Sequence, residues 1–259
     1  MADDPEHRIR TARRALQALL EEQLALLPQE TGRARGAITR RIHELRMMLQ
    51  PDYPYRSQAG QDLVVDRLLD HKRGGTFVDI GAYDGVTGSN TLFFEMWRGW
   101  TGVLVEPVPA QRAKAEARRQ SPCLPYAVAP HAGEAAFIAV EAGFTQMSGL
   151  AQSYDPALLA RVRNDSRHSE TALQVPTRRL DQILAEAGIT DPDFISLDIE
   201  GGEIAALSDF PFESHKVGFW AIENNTATAE ISRIMRGAGY ELVAYCGADE
   251  IWRRRGLSG

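Results

Sequence analysis

Residues 76–91, TFVDIGAYDGVTGSNT, limit the folds open to this chain more than any other segment. Four of the first five positions carry the β-branched or aromatic residues that favour strands, and glycines follow at once. A strand that runs into a glycine-rich turn and then a helix is the opening unit of a parallel α/β sheet. Such sheets take their ligands beyond the carboxyl ends of the strands, where helix N-termini also point. Gly81 and Gly85 would let the backbone approach a ligand closely, with Asp79 and Asp84 setting carboxylates beside it.

The rest of the chain extends this unit. Helices are expected at 58–72, 90–98, 110–119, 180–187 and 227–237, alternating with strands at 76–80, 102–105, 124–129, 194–199 and 217–222. Strand-like runs at 135–140 and 173–177 flank a polar stretch, and 240–245 with 250–254 reads as a closing hairpin. The fold class is therefore α/β, a mostly parallel sheet with a C-terminal antiparallel hairpin. Ahead of it, Ile9, Leu16, Leu20 and Leu27, then Ile38, Ile42, Leu45 and Leu49, recur at the seam spacings of packed helices. They predict a helical hairpin over 1–50, ended by Pro51-Asp52-Tyr53-Pro54, and a main domain over 51–259. The apolar stripe needs cover from the main domain or from a second copy in a homo-oligomer; a lid over a substrate is the alternative.

Composition narrows the function classes. No apolar run approaches the roughly 20 residues of a membrane span, and the acid-bearing N-terminus lacks a secretory apolar core, so a soluble, cytoplasmic protein is expected. Cys123 and Cys246 stand outside any zinc-binding spacing and read as core thiols. A net charge of −6 argues against a nucleic-acid partner, although the first fifty residues hold nine arginines against seven acids.

The acidity of the glycine loop selects among nucleotide ligands. A pyrophosphate prefers amides and bases, whereas the methionyl end of S-adenosylmethionine carries an ammonium and a sulfonium that carboxylates favour. The G-x-x-x-G spacing also departs from the G-x-G-x-x-G of dinucleotide sites, which disfavours an NAD-dependent oxidoreductase. Glu106 ends the next strand, about twenty residues on, where an acid can accept hydrogen bonds from a ribose diol. Ala127 and Val128 would then lie near the adenine.

A second acidic string, FISLDIEGGE at 194–203, alternates apolar residues with Asp198 and Glu200, which would share a face if the strand persists. Glu203 has a simpler reading, an acid at a helix N-terminus. Glu223 arrives at the same rim from another strand, and Asp198, Glu200 and Glu223 together have the hard-oxygen chemistry of a divalent-metal site.

Four motifs in order, SQAGQD at 57–62, FVDIGAYDGVTGSNT at 77–91, VEP at 105–107 and LDIEGGE at 197–203, make residues 55–245 resemble the FkbM-type methyltransferases. The resemblance implies a Rossmann-like class I methyltransferase fold, S-adenosylmethionine as cofactor, and a hydroxyl of a sugar, glycan or natural-product scaffold as methyl acceptor. It implies that Asp79, Gly81, Ala82, Tyr83, Asp84, Gly85 and Asn90 hold the methionyl end, with Glu106 and Pro107 at the ribose. Asp198 and Glu200 would lie near the transferred methyl and act as catalytic groups. Ser57, Gln58, Gly60 and Asp62 match the family's S-Q-x-G-x-D, read either as a polar lid that brings Gln58 to the cofactor or as a helix cap by Ser57. Ser196 stands where the family more usually has a lysine or arginine, which leaves any role of that base open. Loops at 143–150 and 155–169 are expected to shape the acceptor pocket. N-methylation of a peptide amide or amine, and a non-catalytic nucleoside-binding scaffold, remain as alternatives.

Overall fold

The computed structural model describes residues 4–257. The outer bounds of the expected division, 1 and 259, and the opening residues 1–3 lie outside the described ones. Helix α1 (Pro5–Leu26) starts where Asp4 accepts a hydrogen bond from the Glu6 amide and Pro5 presets the first turn. It packs on α2 (Ala34–Leu49) through Leu16, Leu20, Leu27, Ile38, Ile42, Leu45 and Leu49. Ile9, expected in that seam, is 59% exposed instead. The reason is length: α1 has 22 residues against 16, and Arg13 already reaches the last carbonyl of α2, at Leu49.

The hairpin docks on the main domain. The Gly247 amide donates to the Gly36 carbonyl, and Arg33 reaches the Asn224 and Ala248 carbonyls and the Glu250 carboxylate. Buried His43 joins the Tyr53 hydroxyl to the Ser57 carbonyl.

After α3 (Gln61–Leu68) come β1 (Thr76–Ile80), a single π-helical turn at 94–98, β2 (Thr101–Val105), α4 (Pro109–Arg118), β3 (Cys123–Leu124) and β4 (Ala127–Val128). Next are β5 (Gly133–Ala142), β6 (Gly149–Leu150), α5 (Pro156–Arg163), β7 (Ser169–Arg178) and α6 (Leu180–Ala187). The chain closes with β8 (Phe194–Leu197), α7 (Glu203–Ser208), β9 (Phe219–Ile222), α8 (Ala229–Gly237), β10 (Tyr240–Cys246) and β11 (Asp249–Arg254). No described helix is long and apolar enough to cross a membrane.

The main sheet runs β10-β11-β9-β8-β1-β2-β3. Its β9-β8-β1-β2-β3 stretch is parallel, and β11 is antiparallel to both β9 and β10. This is the expected Rossmann-like α/β architecture with its C-terminal hairpin. Strand residues alternate between two buried faces. Val78, Ile80, Val105, Leu197 and Trp220 pack under α6, α7 and α8, while Phe77, Phe194 and Phe219 pack against Phe93, Phe94 and Trp100.

One expectation fails here. The run at 124–129 is not one strand: it breaks at Pro125-Tyr126, so β3 joins the main sheet and β4 leaves it. A proline lacks the N–H needed to continue a ladder. The strand-like runs at 135–140 and 173–177 are strands, and pair with each other along β5 and β7 in a second sheet, β4-β7-β5-β6.

Candidate active site

Four neighbouring parallel strands deliver the site. Ile80 is in register with Val105 and Leu197, and Leu197 with Ile222. The next residue of each strand, Gly81, Glu106, Asp198 and Glu223, therefore emerges along one rim. Their amides continue the ladder, to the carbonyls of Val105, Leu124, Ile80 and Leu197 at 3.0–3.1 Å. Between this rim and the second sheet lies a cavity of about 350 Å³.

Gln58, Gly81, Tyr83, Glu106, Pro107, Ala127, Val128, Asp198, Glu200 and Glu223 line it, as do Gln111, Tyr126, Phe137 and residues 143–148. Asp79, Ala82, Asp84, Gly85 and Asn90 do not. Asp79 is buried and accepts hydrogen bonds from the hydroxyls of Ser89 and Thr91. Asp84 accepts from the Val86 and Thr87 amides and pairs with Arg118 at 2.5 Å. Burial acts to raise the Asp84 pKa, but those amides and Arg118 outweigh it and hold the carboxyl below its usual range. Asn90 donates to the Ser196 hydroxyl behind the rim. The acids flanking the loop are thus spent on its shape, and the loop is the frame of the cavity as much as its lining.

Gly81 is required by packing: a Cβ there would sit 1.7 Å from the Asp198 carbonyl oxygen. Tyr83 follows at a φ of 50°, in the left-handed region. Its amide donates to Glu106 at 3.0 Å and its hydroxyl meets Thr145 at 2.8 Å, which ties the glycine loop to the end of β2 and to the 143–148 loop. The second oxygen of Glu106 accepts from the Val108 amide at 2.7 Å. Burial pushes Glu106 up to about 7 against the pull of those two amides.

Asp198 and Glu200 reach the cavity by a route different from the one expected. β8 ends at Leu197, and Glu200 sits at a φ of 55°, so strand alternation does not align them. A left-handed kink does, at a cost of order 1–3 kcal/mol for a non-glycine residue. Carboxylate oxygens of Asp198, Glu200 and Glu223 lie within 4.8 Å of one another. Burial first, then the Asp249 charge, pushes Asp198 up to about 7; burial, Asp198 and Glu203 push Glu200 up to about 9. Glu223 is raised well above its ordinary value by burial and by the Asp198 and Glu200 charges. Glu203 follows its simpler reading, accepting from the Ile199 and Gly201 amides.

Residues 79–242 match the methyltransferase FkbM domain. The chain belongs to the FkbM methyltransferase family. Among solved structures it is similar to the methyltransferase FkbM from Methylobacillus flagellatus KT, at 15% identity, with 89% of this chain and 57% of that chain covered and a TM-score of 0.44. The chain thus spans little more than half the length of that relative. It is also similar to the TehB-like SAM-dependent methyltransferase from Corynebacterium glutamicum ATCC 13032 Kitasato, at 11% identity, covering 76% and 88% with a TM-score of 0.39. No curated protein matches the sequence.

One residue of this FkbM domain that sequence reasoning passed over is Arg119. Fully buried, its guanidinium donates to Glu95, the Gly85 carbonyl and the hydroxyls of Ser89 and Thr91, and it lies over the Phe77 ring. Its charge also faces Asp79, whose pKa burial raises and Arg119 pulls back. The only hint in the sequence was a lone acid, Glu95, inside the apolar run at 92–97. Lysine keeps the charge but not the planar fork, so Arg119→Lys should lower stability by about 2 kcal/mol. Denaturant unfolding checks this; an unchanged midpoint would show that the fork is dispensable.

Proposed function

We propose that the chain transfers a methyl group from S-adenosylmethionine to a hydroxyl of a sugar or other small-molecule acceptor. The observation carrying this reading is the convergence of Glu106 and the Asp198, Glu200 and Glu223 trio on one cavity. Each Glu106 oxygen accepts one amide hydrogen bond, from Tyr83 and from Val108, and has a second lone pair for a hydroxyl of a ribose diol in the cavity it lines. Ala127, Val128, Tyr126 and Phe137 offer an apolar slot for the adenine. The acid trio suits the cationic methionyl end, whose charge would relieve the repulsion among the carboxylates.

When bound, S-adenosylmethionine would supply the methyl group, which the acceptor oxygen would take as the carbon–sulfur bond breaks and S-adenosylhomocysteine is released. Positioning supplies much of the rate. The acceptor's proton passes to a carboxylate, and Asp198, with a pKa near neutrality, is matched to that task, with Glu200 beside it. The same trio has the donor chemistry for a hard divalent cation, which would lower the pKa of a hydroxyl bound to it.

Calorimetry with S-adenosylmethionine and S-adenosylhomocysteine tests the reading. Both should bind, and affinity should weaken as pH falls through about 7, where Glu106 and Asp198 take up protons and lose the charge that favours the ribose hydroxyls and the cationic methionyl end. The same upward shift from 4.5 means Glu106 weakens the fold as pH rises through 4.5 towards 7. Glu106→Gln should cost roughly tenfold or more in affinity and make the pH dependence shallower, leaving the part that Asp198 contributes. The absence of binding heat with either nucleoside would overturn the assignment.

A further inference from the structure

A second cavity, of about 280 Å³, opens beside the first and shares Gln58, Phe144, Met147 and Glu223 with it. Its buried end carries Asp249, held by a 2.9 Å hydrogen bond from Gln61. Its exposed end carries two arginines, Arg161 on α5 and Arg40 on α2. The Arg161 guanidinium has no hydrogen-bond or ion-pair partner among the described residues, and Arg40 has only the exposed Glu44 one turn away. Such an exposed pair is worth about 0.3–0.5 kcal/mol and yields readily to a ligand anion.

The contacts of the hairpin bring Arg40 there. Gly36, one turn earlier on the same face, touches the β10–β11 turn so closely that a Cβ would meet the Gly247 carbonyl oxygen at 2.1 Å. Helix α2 is thereby pressed against the cavity wall, with Arg33 pinning its start. Phe144, 40% exposed, adds an aromatic face at the opening shared by both cavities.

We infer that the second cavity is the acceptor subsite and that it takes an anionic polyhydroxyl compound, of the class of sugar acids and sugar phosphates. Arg161 and Arg40 bind the anion, Phe144 covers the apolar face of the ring, and the reacting hydroxyl points past Glu223 of the shared wall into the first cavity, where Asp198 and Glu200 stand. The inference rests on the methyl-transfer reading and adds the charge of the substrate to it. It also gives the N-terminal hairpin a role as one wall of the substrate site.

The test titrates the S-adenosylhomocysteine-loaded protein with glucuronate, glucose 6-phosphate and neutral methyl glucoside, followed by saturation-transfer NMR. At least one anion should bind about tenfold or more tightly than the neutral sugar, and the preferred one tells a carboxylate from a phosphate substrate. In the Arg40→Ala, Arg161→Ala double variant that preference should vanish while the S-adenosylhomocysteine affinity stays within about twofold, since neither arginine lines the first cavity. Equal affinities for all three probes, no binding of any, or a preference that survives the double substitution would overturn the subsite. Loss of nucleoside binding by the wild-type protein is a separate result, which removes the methyl-transfer reading on which the subsite depends.

Discussion

Gly81→Ala should destabilise the protein by more than about 4 kcal/mol, enough to unfold many domains of this size. Two effects add. Alanine resists the left-handed φ of 85° that this position holds, and its Cβ would fall 1.7 Å from the Asp198 carbonyl oxygen. That oxygen is backbone at the end of a buried strand, so it cannot swing aside as a side-chain tip could. Gly188 supplies the control, with a φ of 66° and nothing within 4 Å of the place an added methyl would take. Gly188→Ala should therefore cost only about 1 kcal/mol, the conformational part alone. Urea unfolding of both variants separates the two effects. Equal losses would show that the contact between the glycine loop and Asp198 is not what demands glycine at 81.

Asp198→Asn and Glu200→Gln should each cut turnover by roughly 10²–10⁴-fold, the usual contribution of a positioned proton acceptor. The fold should respond in the opposite sense. Asp198→Asn removes a charge that burial and the neighbouring carboxylates disfavour, and Glu200→Gln replaces a carboxyl that the same forces hold mostly protonated near neutral pH, so thermal stability should hold or rise. That divergence distinguishes a catalytic role from a structural one, because a residue kept for packing would lose both together. The assay needs methyl-labelled cofactor and an acceptor found by screening, run with and without EDTA to reveal any contribution from a divalent cation. Retained turnover in both variants would remove them from the mechanism.

The lining of the cavity was legible in the sequence wherever it coincided with a strand end. Glu106, Asp198 and Glu223 each follow the last residue of an apolar strand, and parallel pairing makes strand ends adjacent almost automatically. Gln58 was reachable only through the resemblance. Its place beside Gly88 depends on a turn knotted by Asp62, which accepts from the Ser57 hydroxyl and the Arg56 and Ser57 amides. Asp79 and Asp84 looked like ligand groups because their residue type suited a cation. Whether an acid faces a cavity or its own loop depends on nearby amides and arginines, and Arg118 and Arg119 come from a different helix end.

The sequence by itself determined the parallel α/β sheet, its closing hairpin, the helical pair in front and the rim on which the acids stand. These follow from hydrophobic period, glycine placement and strand ends, all properties of neighbours along the chain. Only the tertiary structure decided that β5 and β7 form a second sheet over the first cavity, that a left-handed kink brings Glu200 to Asp198, and that α2 carries Arg40 to the neighbouring cavity. Those outcomes join segments far apart in sequence, and their partners are fixed by which buried surfaces and polar groups remain unsatisfied once the local elements have formed.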